Sequence, residues 1–91
     1  MLKIDFSRKF LKLYKKAPVN IREAAANRLE TFKSDQFNPL LNNHALTGIY
    51  QGHRSINVTG DWRIIFIETV DRAGKITVLV VTIGTHSQLY K

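Results

Sequence analysis

Among the 91 residues of this sequence, the side chains best suited to chemistry are three histidines (His44, His53 and His86), Arg54, Asp61, Arg63 and Tyr90, nearly all in its second half. The histidines are scattered, without H-E-x-x-H or paired-ligand spacing, and there is no cysteine to supply a thiolate, so no metal motif is present. There is no Gly-rich phosphate loop and no nucleophile elbow, and Ser55 and Ser87 carry no signature of an activated nucleophile. What the groups do suit is cleavage of RNA with neither metal nor cofactor. The RNA 2′-OH is its own nucleophile, so a base, a cation for the phosphorane-like charge and an acid for the 5′ oxygen complete the chemistry. His or Asp serves as base or acid, and Arg matches phosphate bidentately. Each acid–base group contributes about 10²–10⁴ in rate, so two of them and one arginine are sufficient. Trp62 and Tyr90 offer faces for splayed bases.

Simpler readings stand beside these. A lone loop histidine such as His44 is usually a surface residue, Asp61 after Gly60 is by default a turn-former, and Trp62 more often fills core. Arg54 and Arg63 fall in predicted strands, where a charge is usually solvated or paired with an acid such as Glu68. His86 stands apart because of its place. The apolar run Ile76 to Ile83 passes through Gly84 into a polar tail, Gly84 to Lys91, that holds His86 and Tyr90. The end of a buried strand holds polar side chains on a rigid base, and histidine is the side chain whose unperturbed pKa lies near neutrality.

The elements that must position these residues are legible in outline. Residues 2–6 alternate Leu2, Ile4 and Phe6 with Lys3 and Asp5, as a half-exposed strand does. Ser7 is placed to cap a helix over 8–16, in which Phe10 and Tyr14 continue from Phe6 at helical spacing. Pro18 fits the first turn of a second helix, with Ile21, Ala25, Leu29 and Phe32 on one face and an end near Ser34. Residues 35–47 read as a connector with a short turn at Leu40-Leu41. Three strands are predicted at 48–58, 62–69 and 76–83, joined by turns at Thr59-Gly60-Asp61 and Asp71 to Gly74. The stretches 64–67 and 78–81 are apolar on both faces, so each strand should be central and covered. The predicted fold is α+β in the order β-α-α-β-β-β, a helical hairpin on one face of a four-stranded, mainly antiparallel sheet, with residues 1–91 forming one domain.

Charge narrows the partners. The net charge is +7 with a sequence pI near 10.1. Lys3, Arg8, Lys9, Lys12, Lys15, Lys16 and Arg22 crowd the N-terminal part against Asp5 alone. Such a field favours a polyanion. No apolar run approaches the roughly 20 residues of a membrane helix, and the start lacks a signal-peptide core. The chain therefore reads as soluble and intracellular, with no membrane role and, lacking cysteine, no disulfide framework.

Four segments then occur in one order: Asn43-His44-Ala45-Leu46-Thr47-Gly48, Gly52-His53-Arg54, Asp61-Trp62-Arg63, and Gly84-Thr85-His86-Ser87-Gln88-Leu89-Tyr90. Together they resemble the RelE-superfamily toxins of bacterial type II toxin–antitoxin modules, and most of all the YafQ branch. There the pattern runs H-x-L-x-G, G-Y-R, D-W and G-T-H-x-x-L-[FY]. Val58-Thr59-Gly60-Asp61-Trp62-Arg63 also resembles the V-T-G-N-W-R segment of HigB toxins. The resemblance implies a RelE-like fold and a cytoplasmic, ribosome-dependent mRNA endoribonuclease without cofactor. It implies a cognate antitoxin that wraps the toxin, mRNA and ribosomal RNA as nucleic-acid partners, and operator DNA only through the antitoxin complex. Carried over by position, the catalytic residues are His44, Asp61 and His86, with Arg54 and Arg63 as cations and Trp62 and Tyr90 as supporting contacts. On this reading Lys9, Lys12 and Lys16 of the first helix dock on ribosomal RNA.

One position departs from the YafQ pattern. A second histidine is usual four residues before the aspartate, and here Asn57 occupies that place. Asparagine does not shuttle a proton but does hydrogen-bond phosphate or base. His53 is no substitute: along a strand it would lie about 13 Å from Asn57. Acid–base work is thus expected of His44 and His86, with Asp61 assisting and His53 and Asn57 as RNA contacts. Two other outcomes remain open: a non-enzymatic gyrase inhibitor similar to ParE toxins, and a binding module that has lost catalysis at Asn57.

Overall fold

The computed structural model describes residues 2–90; Met1 and Lys91, the ends of the predicted domain and of the polar tail, lie outside it. The alternating N-terminal stretch forms β1 (Lys3–Phe6), and α1 (Arg8–Lys16) follows at once. Ser7 caps α1 as expected: its Oγ accepts from Phe10 N at 3.0 Å. The second helix, α2 (Val19–Ser34), starts one residue later than predicted. Pro18 is its N-cap rather than a residue of its first turn, and the Pro18 carbonyl accepts from both Ile21 N and Arg22 N. The Arg22 guanidinium donates to the Lys15 and Ala17 carbonyls, tying the end of α1 to the start of α2.

The connector after α2 holds a one-turn 3-10 helix, Pro39–Leu41, that sinks Leu41 fully into the core. It also holds a strand not expected from the sequence, β2 (His44–Ala45). The strand predicted over 48–58 shrinks to β3 (Arg54–Asn57). Its first part is a 3-10 turn, Gly48–Tyr50, because Gly48 and Gly52 adopt φ of +68° and +89°, values a strand cannot contain. β4 (Trp62–Val70) and β5 (Ile76–Thr85) pair as the predicted hairpin; Asp71 Oδ1 accepts from Ala73 N and Lys75 N in the turn. The tail is not a loose exit: residues His86–Leu89 form a helical turn, α3.

The sheet has five strands in the order β1-β5-β4-β3-β2, one more than expected, with β1 parallel to β5 and the other pairs antiparallel. One face packs on the helices. Ile56, Val58, Ile64, Phe66, Val78, Val80 and Ile83 meet Phe10, Ala17, Ile21, Ala25 and Phe32 in a continuous core. Phe32 stands edge-on to Phe66, with ring centroids 4.9 Å apart. β4 and β5 are central, as predicted, but the far face is covered only in part. Ser55, Ile65 and Thr82 are buried there, whereas Leu79 remains 39% exposed.

Candidate active site on the open sheet face

Strand pairing decides which candidate residues share a surface, because residues directly opposite each other point to one face. One row runs His44, Ser55, Ile65, Thr82; the next runs Asn57, Arg63, Gly84. Both lie on the face away from α1 and α2. Arg54 and Trp62 belong to the other set. Arg54 is opposite Phe66, and Trp62 has the parity of buried Ile64 and packs against the helical core.

The tail closes over the open face at one end. Thr85 and Gln88 form a capping box: Thr85 Oγ1 accepts from Gln88 N at 3.3 Å, and Gln88 Oε1 accepts from Thr85 N at 2.9 Å. Leu89 is buried against Gly84, so close that a Cβ on Gly84 would stand 3.2 Å from Leu89 Cδ2. Glycine is favoured here by space, not by backbone freedom. His86 opens the turn, and its backbone N–H donates to the Asp61 carbonyl at 3.0 Å. That bond joins the tail to the β3–β4 turn and sets the two residues side by side. Both side chains are exposed.

Four rings then continue from one another: His86 to Tyr90 at 4.7 Å, Tyr90 to Tyr50 at 5.8 Å, and Tyr50 to His53 at 6.0 Å between centroids. His44 sits exposed on the edge strand β2, with Nδ1 2.7 Å from the Asn42 carbonyl. A carbonyl only accepts, so in the neutral ring Nδ1 holds the proton and Nε2 keeps its lone pair for solvent or substrate. Across the sheet, His44 lies three strand spacings from Thr82, about 14 Å. His44 and His86 are therefore set apart on the sheet rather than in contact.

The arginines are more engaged than their sequence positions imply. Arg63 Nη1 donates to the carbonyls of Thr59 and Gly60 at 3.0 Å each, so its charge lies beside the Asp61 turn. Arg54 Nε donates to Asn43 Oδ1 at 2.9 Å, and its guanidinium lies over the Phe37 ring at 5.6 Å. The structure does not bring Arg54 to the histidines; it braces the connector on the helical side. Trp62 likewise fills space beside Leu13 and Ala17 instead of standing with His44 on the open face. Beneath the open face, Ser55 Oγ and Asn57 Oδ1 are buried without a hydrogen-bond partner among the described residues. Unpaired buried polar atoms are uncommon in folded proteins.

Of the first-helix cations, Lys9 lines a groove with Tyr50, Thr82, Gln88 and Leu89, and Lys16 lines one with Trp62 and Gln88. Lys12 is exposed and lines neither. The only ion pair among the described residues joins Lys33 and Glu30, which leaves the α1 lysines without acidic partners. Tyr50 gives no signal in the sequence because it lies in a stretch, between Gly48 and Gly52, that passes for strand.

A family model described as the bacterial toxin of a type II toxin–antitoxin system, YafQ, matches residues 2–91. The chain belongs to the YafQ toxin family. The YafQ fold is equally plain in solved structures. YafQ from Escherichia coli BL21(DE3) is 20% identical over all of both chains, with a TM-score of 0.73. The toxin in an E. coli DinJ–YafQ complex is 23% identical over all of both chains, with a TM-score of 0.67. A YoeB/ParE toxin from Agrobacterium tumefaciens is 16% identical over 92% of this chain and 98% of its own, with a TM-score of 0.73. Comparison with curated proteins gave no match. As a YafQ-family member the protein is a toxin of a type II toxin–antitoxin system, on the RelE-like α+β fold. No helix among the described residues is long and apolar enough to cross a membrane.

Proposed function

We propose that this toxin is an mRNA endoribonuclease that acts on the ribosome in the bacterial cytoplasm and is silenced by a cognate antitoxin. The observation that carries the reading is the Asp61–His86 backbone clamp, which fixes an exposed histidine at a rigid strand end beside Asp61. His44 is the base: with Nδ1 committed to a carbonyl, Nε2 takes the 2′ proton. The 2′ oxygen attacks phosphorus, the P–O5′ bond breaks, and His86 protonates the departing 5′ oxygen. A 2′,3′-cyclic phosphate and a 5′-hydroxyl result. Arg63 and the carboxylate of Asp61 set the charge around the phosphorane, and the side-chain N–H of Asn57 donates to phosphate or base. Tyr90 stacks on a base beside His86, and the unpaired lysines of α1 meet ribosomal RNA. The DinJ–YafQ complex among the solved relatives supports an antitoxin as the protein partner. Operator DNA is contacted only through that complex.

Primer extension on a ribosome-bound transcript tests the reading. The wild-type protein should cleave, and His86→Ala should be slower by about 10²–10⁴. Because His86 is exposed, its removal should leave thermal unfolding unchanged. Equal cleavage by both proteins would take His86 out of the mechanism. DNA damage with no mRNA breaks would point to gyrase inhibition instead.

A further inference from the structure

Tyr50 sits where two separately built parts of the open face meet. It ends the 3-10 turn between β2 and β3, which begins at Gly48 and is followed two residues later by Gly52, both glycines of positive φ. Its ring stands edge-on to Tyr90, with an interplanar angle of 84°, and edge-on to His53 at 74°. Tyr90 in turn packs on His86. The turn α3 is only His86–Leu89, anchored by its capping box, by the Asp61 bond and by buried Leu89. Those anchors hold its backbone. Nothing among them holds the His86 imidazole except the ring of Tyr90, and Tyr90 is half-buried with Tyr50 against it.

We propose that Tyr50 is a positioning residue, whose ring fixes Tyr90, and through it the His86 imidazole, relative to the hairpin that carries His44. The inference rests on the reading of His86 as a catalytic group. The edge-to-face geometry needs the ring and not its hydroxyl, so Tyr50→Phe should behave as wild type. Tyr50→Leu keeps an apolar side chain over the groove shared with Lys9, Thr82 and Leu89 but removes the ring.

The test is a comparison of the full-length wild type, Tyr50→Phe, Tyr50→Leu and His86→Ala. Single-turnover cleavage on programmed ribosomes is read together with the carbon-bound proton signals of the three histidine rings by NMR. Tyr50→Leu should lower the rate at saturating ribosome by about 3- to 10-fold, with half-saturation unchanged. The His86 signals should move as Tyr90 leaves its place, while those of His44, outside the ring series, stay fixed. Tyr50→Phe should restore both. If His86→Ala abolishes cleavage while Tyr50→Leu changes neither rate nor His86 signals, the positioning role is wrong and the nuclease reading stands. A Tyr50→Leu loss confined to half-saturation would also overturn it, by making Tyr50 a binding residue. If His86→Ala cleaves normally, the reading of His86 as a catalytic group has failed, and if the wild type does not cleave, the nuclease reading has.

Discussion

Gly84→Ala puts the closure of the tail to a quantitative test. Gly84 is buried in β5 and its φ is not positive, so its backbone suits alanine. On backbone grounds alone the change should stabilise the protein by about 0.4–1 kcal/mol, through the unfolded state. Space argues the other way. The new methyl would stand 3.2 Å from Gln88 Oε1, 3.2 Å from Leu89 Cδ2 and 3.3 Å from Leu89 Cγ. Gln88 cannot swing aside freely, since its Oε1 accepts from Thr85 N in the capping box. Leu89 is 6% exposed and held against the sheet. Overpacking of this kind costs about 1–3 kcal/mol, so the net effect should be a loss of about 1–2 kcal/mol.

For a domain of this size that corresponds to a fall in Tm of about 5–15 °C, readable by far-UV circular dichroism. A double-mutant cycle separates clash from general damage. Leu89→Ala alone should cost about 2–5 kcal/mol, and distinctly less in the Gly84→Ala background, because the smaller side chain removes the clash. Cleavage should fall more than folding does. α3 must shift by a few tenths of an ångström and carries His86 with it, whereas a misplacement of about 1 Å costs about 10²-fold. An unchanged or raised Tm, or strict additivity in the cycle, would refute the view that close packing of Leu89 on Gly84 fixes the tail.

Arg54→Ala should destabilise the fold by about 1–3 kcal/mol, because the hydrogen bond to Asn43 and the packing on Phe37 both go, and Arg54→Lys should not rescue it. Denaturant unfolding checks this, and an unstable but fully active folded fraction would mark Arg54 as structural. Replacing Lys9, Lys12 and Lys16 together by alanine should weaken ribosome binding and flatten its salt dependence by about 0.7–0.9 for each phosphate no longer neutralised. Sedimentation with ribosomes at graded salt measures the slope, and an unchanged slope would remove α1 from the interface.

Much of the frame was legible because local signals and tertiary need agree there. Ser7, the Phe10–Tyr14 spacing, the Ile21–Phe32 stripe and the Asp71–Gly74 turn each specify an element without help from distant residues. The stretch from Thr47 to Arg54 failed for the opposite reason. Its Ile49 and Tyr50 have strand propensity, but the two positive-φ glycines force a turn, and Ile49 is left 78% exposed. β2 was invisible because two residues carry no periodicity, and it exists only through pairing with β3. Strand parity with Ile56 and Ile64 would have placed Arg54 and Trp62 on the helical side. Motif position instead grouped them with the histidines. The polar tail reads as an exit, although Thr85 and Gln88 already spell a capping box.

The site owes its composition to one residue inserted in β5. Val78 and Val80 face the helices, and unbroken alternation would have sent Thr82 and Gly84 inward after them. The pairing skips Val81, with Ile65 opposite Thr82 and Phe66 opposite Val80. This bulge reverses the alternation, so Ile83 fills the core while Thr82 and Gly84 reach the open face. The bulge falls where β1 stops, at the Phe6–Val80 pair. There Ser7 satisfies the edge of β5 that β1 no longer covers beyond that pair: its N–H donates to the Val80 carbonyl at 2.9 Å and its Oγ to the Val81 carbonyl at 2.6 Å. Ser7 thus caps α1 and secures the bulge at once. Without the reversal, Gly84 would not lie under Leu89, and α3, which carries His86, would lose that seat. The chemistry proposed for the tail therefore depends on a contact with the seventh residue of the chain.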